Sequence, residues 1–538
     1  MESRYWAGIF PKRRRSMPRP WTDWVRLGAV VILVVGTLSG FAARDPLRRL
    51  ATCNDGWPST AAWAAGDECV GLSEGPYSFG LPAFEHVMRV IDEQNRTAPD
   101  GCPGTPVTVG VLLTMTDELA GSRAVHELEG MAVGQRRAND TGCVHPMRLV
   151  VGNLGDYGDS AATAVARKLA QRGDVVAVAG IGLSDQTTAE VADLLAAEKI
   201  PMVSDVVTAE GFDQSGSAGD DPDFTRCDKD ITYPQGIGKD YFYRVAFRVA
   251  VQVRALGAVA PIRPDFVMVP TGGSDPYTCT TLPFLHRQYG GDLLEVKFDA
   301  EEPTTVSQTA RRVCATAKDV TIAYLARGRD LGRLLYSLDE AYANGQCAAT
   351  SITVLSTSDG NRLRTVESDA ALEDLRSKAL SSPSFTGGRV RLLFTLVAGA
   401  DGPEQDNPQW FAFEEAYAAA GFDLAHTGDG WAVNAYDALS TVVTAVRALP
   451  AASTVQRSQV NITIGGFTSP ELAVAGAGGP IFFDNSGNRV VFDKSGNRVD
   501  SVPAVVRLCP VDISGARSYV PTVEAKPGEP TPECVRGA

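Results

Sequence analysis

The sequence predicts an α/β protein of two doubly wound parallel-sheet lobes joined by a hinge, with an N-terminal membrane segment. Three observations predict it: a strand–helix–strand unit at 175–208, strand–helix alternation that restarts after a polar interruption at 209–240, and a basic N-terminus followed by an uncharged run.

The unit at 175–208 organises the rest. Val175 to Ala179 is an apolar, β-branched run too short for a helix, as in a buried strand. Gly180 and Gly182 break it, and Ser184 or Asp185 is placed to cap the helix carried by Val191, Leu194, Leu195 and Ile200. A second strand starts at Pro201 and ends in the polar switch 205–208. Ligands of open parallel sheets sit beyond the carboxyl ends of the strands. Two such ends, 182–185 and 205–208, fall side by side here.

The chain has 538 residues and a net charge of −14. Seven of its 50 Lys/Arg and two of its 64 Asp/Glu lie in residues 1–43, leaving −19 on the remainder. That acidic remainder argues against nucleic acid as a partner. Residues 1–26 are a basic stretch expected in the cytoplasm. The 17 uncharged residues 27–43 are expected to be a signal anchor, or else a cleaved signal peptide, with the main body outside the cell or secreted.

Taken in order, residues 44–104 are a Cys/Gly/Pro-rich preface ending in one helix around Phe84, Val87, Met88 and Ile91. Strands follow at 107–113 and 147–151, with helices to about 139 and at 157–172. Residues 209–240 read as a polar surface insertion. The alternation resumes with strands at 241–245, 265–270, 292–298, 320–325, 351–356 and 390–397. Its helices fall at 247–258, 276–289, 304–316, 329–343, 408–420 and from Trp431 to about 449. The stretch FDNSGNRV at 483–490 is nearly repeated as FDKSGNRV at 492–499. Turn residues between apolar ones predict hairpins. A calcium loop fits poorly, because Arg489 and Ser495 stand where a glycine and a glutamate are needed. The tail 511–538 is Pro-rich and expected to be loosely ordered.

Ten cysteines without a CxxC pair suit an oxidising compartment and disfavour zinc. Strand geometry pairs Cys102 with Cys143 and, more weakly, Cys314 with Cys347. Neighbour pairing would add Cys53–Cys69, Cys227–Cys279 and Cys509–Cys534, although sequence leaves the connectivity open.

Catalytic signatures are missing: the sequence has no HExxH or GxxxxGK[ST]. The five histidines (86, 126, 145, 286 and 426) pair with no nucleophile at diagnostic spacing, and no cofactor is implied.

From about 107 to 509 the chain resembles the type 1 periplasmic solute-binding proteins, in the branched-chain amino acid and amide branch that serves ABC transporters. The segments that carry the likeness are VTVGVLL with GMAVGQRRAND, ARKLAQRGDVVAVAGIGLSDQTTAEVADLLAAEKIPMVSDVVT, YFYRVAFR and WAVNAYDALSTVVTAVRAL. The resemblance implies lobe 1 from 105–240 plus 359–448, lobe 2 from 241–358 plus 449–510, and a ligand cleft between them. It implies that Ser184 and Thr208 hold a ligand carboxylate with a backbone group at Val206. Tyr277 would then be the aromatic residue of the second lobe, and Asp359 the partner of an ammonium. Arg327 stands where an aromatic is common, which turns the expectation toward an anionic or dicarboxylate ligand if its guanidinium reaches the cleft. The expected function is capture of an amino acid, amide or small organic acid for an ABC permease or for sensing. The alternatives are an envelope scaffold that binds no ligand, and an enzyme on the same fold.

Overall fold

The computed structural model describes residues 61–97, 102–116, 123–140, 142–156, 161–214, 239–271, 275–300, 302–398, 407–485, 487–492, 503–510 and 519–534, together with Val25, Ala29, Cys53, Ala120, Arg498 and Val499.

The first sheet contains β1 (Ala62–Ala65), β2 (Glu68–Ser73), β3 (Val107–Leu113), β4 (Met147–Asn153), β5 (Val175–Ile181), β6 (Met202–Ser204) and β7 (Phe242–Arg244). Their spatial order is β1-β2-β4-β3-β5-β6-β7. β3 to β7 run parallel, and the hairpin β1–β2 joins antiparallel at β4. Every residue of β3 and β5 is buried, as expected of central strands covered on both faces. The helices Arg123–Asn139 and Trp431–Arg447 cover one face, and Ala161–Ala170 and Gln186–Ala197 the other. The first pair packs so closely that a Cβ at Gly130 would run into the Ala432 carbonyl.

The second sheet contains β8 (Phe266–Thr271), β9 (Glu295–Asp299), β10 (Val320–Tyr324), β11 (Ile352–Ser356) and β12 (Val390–Thr395). After β12 in sequence comes a small antiparallel meander of β13 (Val474–Gly476), β14 (Gly479–Phe483), β15 (Arg489–Phe492) and β16 (Arg498–Val499). Then β17 (Val505–Leu508) and β18 (Thr522–Ala525) complete the second sheet, in the order β18-β17-β12-β11-β10-β8-β9.

Both α/β lobes are therefore present, but their boundaries differ from expectation. β7 lies in the first sheet and β12 in the second, so the chain passes between sheets after Arg244, after Thr395 and before Val505. The expected divisions at 240, 358 and 448 move for one reason. A largely apolar strand such as β12 (VRLLFT) suits the interior of either sheet, and its pairing with β11 decides. The tail is also corrected: 522–525 is a strand on β17, held by the Cys509–Cys534 disulfide. Three further disulfides join Cys53–Cys69, Cys102–Cys143 and Cys314–Cys347, with Cα atoms 5.3, 5.3 and 4.5 Å apart. Of the fifth expected pair, Cys279 is buried and Cys227 lies outside the described residues. The repeat at 483 is a hairpin turn, in which Asp484 Oδ1 accepts from the Asn488 N–H at 2.9 Å. Among the described residues no cluster of His, Cys, Asp or Glu could hold a metal.

The expected N-terminal membrane segment is corrected as well. Among the described residues no helix is long and apolar enough to cross a membrane. Residues 27–43 fall almost wholly outside them. Seventeen residues at ~1.5 Å each would reach about 26 Å, short of the ~30 Å hydrocarbon core. The membrane partner and the single-span location drawn from that segment are withdrawn with it.

Candidate ligand cleft

A cleft of about 670 Å³, counted to its open mouth, lies between the lobes where the carboxyl ends of both sheets meet. The first lobe contributes Arg123, Leu183, Val206, Thr208, Trp431 and Asn434; the second contributes Gln252, Arg327, Ser358, Asp359 and Arg362. All three interlobe passages reach it, through Ala246 and Phe247, Leu396 and Val397, and Pro503.

Four of the six residues expected from sequence line this cleft: Val206, Thr208, Arg327 and Asp359. Ser184 and Tyr277 sit behind the wall, each 1% exposed. The helix cap is Asp185, whose carboxylate accepts from the Thr187 N–H at 2.7 Å. Ser184 ties one loop to the next instead: its Oγ accepts from the N–H groups of Thr208 (2.9 Å) and Ala209 (3.1 Å). The Thr208 amide is thus already satisfied within the first lobe. The Tyr277 hydroxyl bonds Thr357, and burial pushes its pKa well up.

Arg327 does reach the cleft, but it is engaged. Its Nε and Nη2 bind both oxygens of Asp275 at 3.1 and 2.6 Å. The guanidinium lies 4.6 Å from the Tyr277 ring centroid. Nη2 also donates across the lobes to the Ser184 carbonyl at 2.6 Å. Burial alone would lower the Arg327 pKa, yet Asp275 and Asp359 raise it. Asp359 Oδ1 accepts from the Gly328 N–H at 2.9 Å.

Charges that the sequence reading missed lie on both sides of the cleft. Arg362 grips Glu367 with Nε at 2.6 Å and Nη2 at 3.0 Å, and Arg123 reaches the same carboxylate from the other lobe at 3.3 Å. Burial would raise Glu367, but these two guanidiniums hold it below its usual range. Burial, then Arg362, lowers Arg123 to about 10. Behind Arg123, His126 Nδ1 pairs with Asp429 Oδ2 at 2.7 Å, and the His126 and His426 rings stack at 4.2 Å. His426 in turn meets Glu129 at 2.7 Å. Beneath Val206, burial pushes Asp205 up to about 6, and burial with Asp205 drives Glu127 well above the carboxyl range. Arg123 could have been found in sequence, since it ends the polar stretch 114–123 after β3, at the same kind of strand end that singled out Ser184. Arg362 and Glu367 follow β11 in the same way, but nothing in their spacing joins them to Arg123.

No protein-family model matches the sequence, and no curated protein matches it significantly. Solved structures do match. The branched-chain amino acid transporter substrate-binding protein of Streptococcus pneumoniae, in complex with isoleucine, aligns with a TM-score of 0.53 at 14% identity, covering 78% of this chain and 100% of that one. A solute-binding protein of an ABC transporter from R. palustris, in complex with 4-hydroxybenzoate, gives 0.54 at 14% identity, covering 78% and 96%. One from Rhodopseudomonas palustris BisB5 with 3,4-dihydroxybenzoic acid gives 0.51 at 15% identity, again covering 78% and 96%. At such identities the likeness is one of fold: the chain shares the bilobal α/β architecture of these substrate-binding proteins.

Proposed function

We propose that this chain is an extracytoplasmic solute-binding protein that closes its two lobes on a small polar ligand, for delivery to an ABC-type permease or for sensing. One observation carries the reading. The cleft is walled by both sheets at their carboxyl ends, and side chains of one lobe bond the other across it, as Arg327 does to Ser184 and Arg123 to Glu367. A site assembled from two bodies is created by closure and favours a ligand that both can touch. Four disulfides support an oxidising compartment. The residues proposed for contact are Val206, Thr208, Arg327 and Asp359, with Ser184 and Tyr277 supporting them from behind. Similar folds hold isoleucine and hydroxybenzoates, so amino acids and aromatic acids are the first solutes to try. Calorimetry of the full chain against amino acids, their amides and small organic acids tests the reading, with scattering to follow compaction. Binding by none of them, with no change in dimensions, overturns it in favour of a scaffold.

A further inference from the structure

We infer that Arg123 is the carboxylate-binding residue of the cleft, and that the ligand is a small monocarboxylate with an apolar body. This rests on the solute-binding reading above and names its substrate class. Beside the groups that sequence likeness would assign to a carboxylate, Ser184 Oγ is turned inward and accepts from the Thr208 amide at 2.9 Å. Across the cleft, Arg327 is spent on both oxygens of Asp275, and Arg362 on both oxygens of Glu367.

Arg123 differs. It lines the cleft, is 1% exposed, and its Nη2 meets Glu367 only at 3.3 Å. Its Nη1 is buried with no hydrogen-bond partner among the described residues. A buried guanidinium is stable only when its donors are met, and a carboxylate meets them best. Glu367 is shared by two guanidiniums, so one positive charge is left uncompensated at that carboxylate. The neighbouring Asp429 is taken up by His126 Nδ1, the Thr365 hydroxyl and the Trp431 N–H. Burial and Arg362 lower the Arg123 pKa, a penalty that a bound anion would relieve.

One donor group left over takes one carboxylate, which sets aside the dicarboxylate that Arg327 suggested. The ligand's body meets an apolar wall of Leu183, Val206, Phe247, Leu396 and Trp431. At the second-lobe side Asp359 offers an acceptor for a donor on the ligand, and an ammonium or a phenolic hydroxyl supplies that same chemistry.

The test uses isoleucine and 4-hydroxybenzoate as probes, each beside its neutral amide, with the full chain in a calorimeter. The wild type should prefer acid to amide. Arg123→Gln should lose about tenfold to a hundredfold in affinity for the acid and little for the amide. Arg123→Lys should recover part of the loss, and thermal melting of both variants controls for folding. Which acid binds decides between ammonium and hydroxyl. Equal acid affinity in Arg123→Gln and wild type, or equal losses for acid and amide, overturns the assignment of Arg123 while leaving the solute-binding reading in place. If the wild type binds no solute of either kind, that reading fails and takes this one with it.

Discussion

The two walls of the cleft are charged in opposite ways. The second-lobe wall carries its charges as matched pairs, the buried Arg362–Glu367 and one nearer solvent: Arg327 and Asp275 are 14% and 23% exposed and meet at 2.6 Å. The first-lobe wall rests on groups with almost no exposure, among them Arg123, Glu127, Asp205 and Asp429. Among the described residues, Arg123 Nη1 and Glu127 Oε1 have no hydrogen-bond partner. Exposed pairs can trade partners with water at little cost, whereas buried ones cannot. The comparison teaches that the second wall is the exchangeable side and the first wall the committed one, so substitutions should be felt very unequally across the cleft.

The largest effect is expected behind the first wall, at Gly130. Adding a methyl there sets it against the Ala432 carbonyl, which is backbone and cannot rotate away. Gly130→Ala should lower unfolding stability by about 3 kcal/mol or more, read from denaturant melts. A loss well under 1 kcal/mol would show that the first lobe is more loosely packed than its helices imply.

Asp205 should sharpen the comparison through pH. Its folded pKa, about 6, lies above the ordinary 3.8 because of burial. Below pH 3.8 the carboxyl is protonated in both folded and unfolded chains. As pH rises toward 6 only the unfolded chain releases the proton, so stability falls across that window. The loss approaches about 3 kcal/mol and is complete above pH 6. Asp205→Asn should remove this component, and the variant should gain on wild type between pH 4 and pH 7. Parallel stability curves for the two proteins would contradict the buried, proton-retaining assignment.

Ser184→Ala comes next. It strands two buried N–H groups, of Thr208 and Ala209, at a cost of about 2 kcal/mol. Urea titration checks this, and a change in affinity without a change in stability would return Ser184 to the role of a ligand contact. The smallest effect belongs to the second wall. Arg327→Gln should cost under about 1 kcal/mol in stability, because its partner Asp275 is 23% exposed and keeps contact with water. Scattering should nevertheless show a more open average shape once the bond to the Ser184 carbonyl is lost. A loss as large as that of Gly130→Ala would erase the contrast between the walls.

The same contrast explains what could be read from the sequence. The strands Val107–Leu113 and Val320–Tyr324 and the helix Pro276–Tyr289 are legible because period and apolar content are local. Val206, Thr208, Arg327 and Asp359 are legible because each follows a strand end. The hairpin β1–β2 was not, since AWAA and ECVGLS have weak strand propensity and are held by the sheet they join. Nor was the link from Arg123 to Glu367, 244 residues apart. Ser184 was placed in the right loop, but its hydroxyl was given to a ligand when a neighbouring backbone had taken it.

The two disulfide-stapled ends of the chain have a consequence for the molecule among its own copies. A parallel sheet that stops at an open strand offers a row of unpaired N–H and C=O groups to any extended chain that passes. In each sheet one such border is occupied by a short antiparallel pair, β1–β2 in the first and β17–β18 in the second. Each pair is bolted beside a disulfide, Cys53–Cys69 and Cys509–Cys534. The outermost strands are four residues long, and they carry Trp63, covered by the Lys168 ammonium, and the charge of Glu524. They are too short and too interrupted to template another sheet. The ends of the chain thus act as selvedges, finishing two borders that would otherwise invite polymerisation.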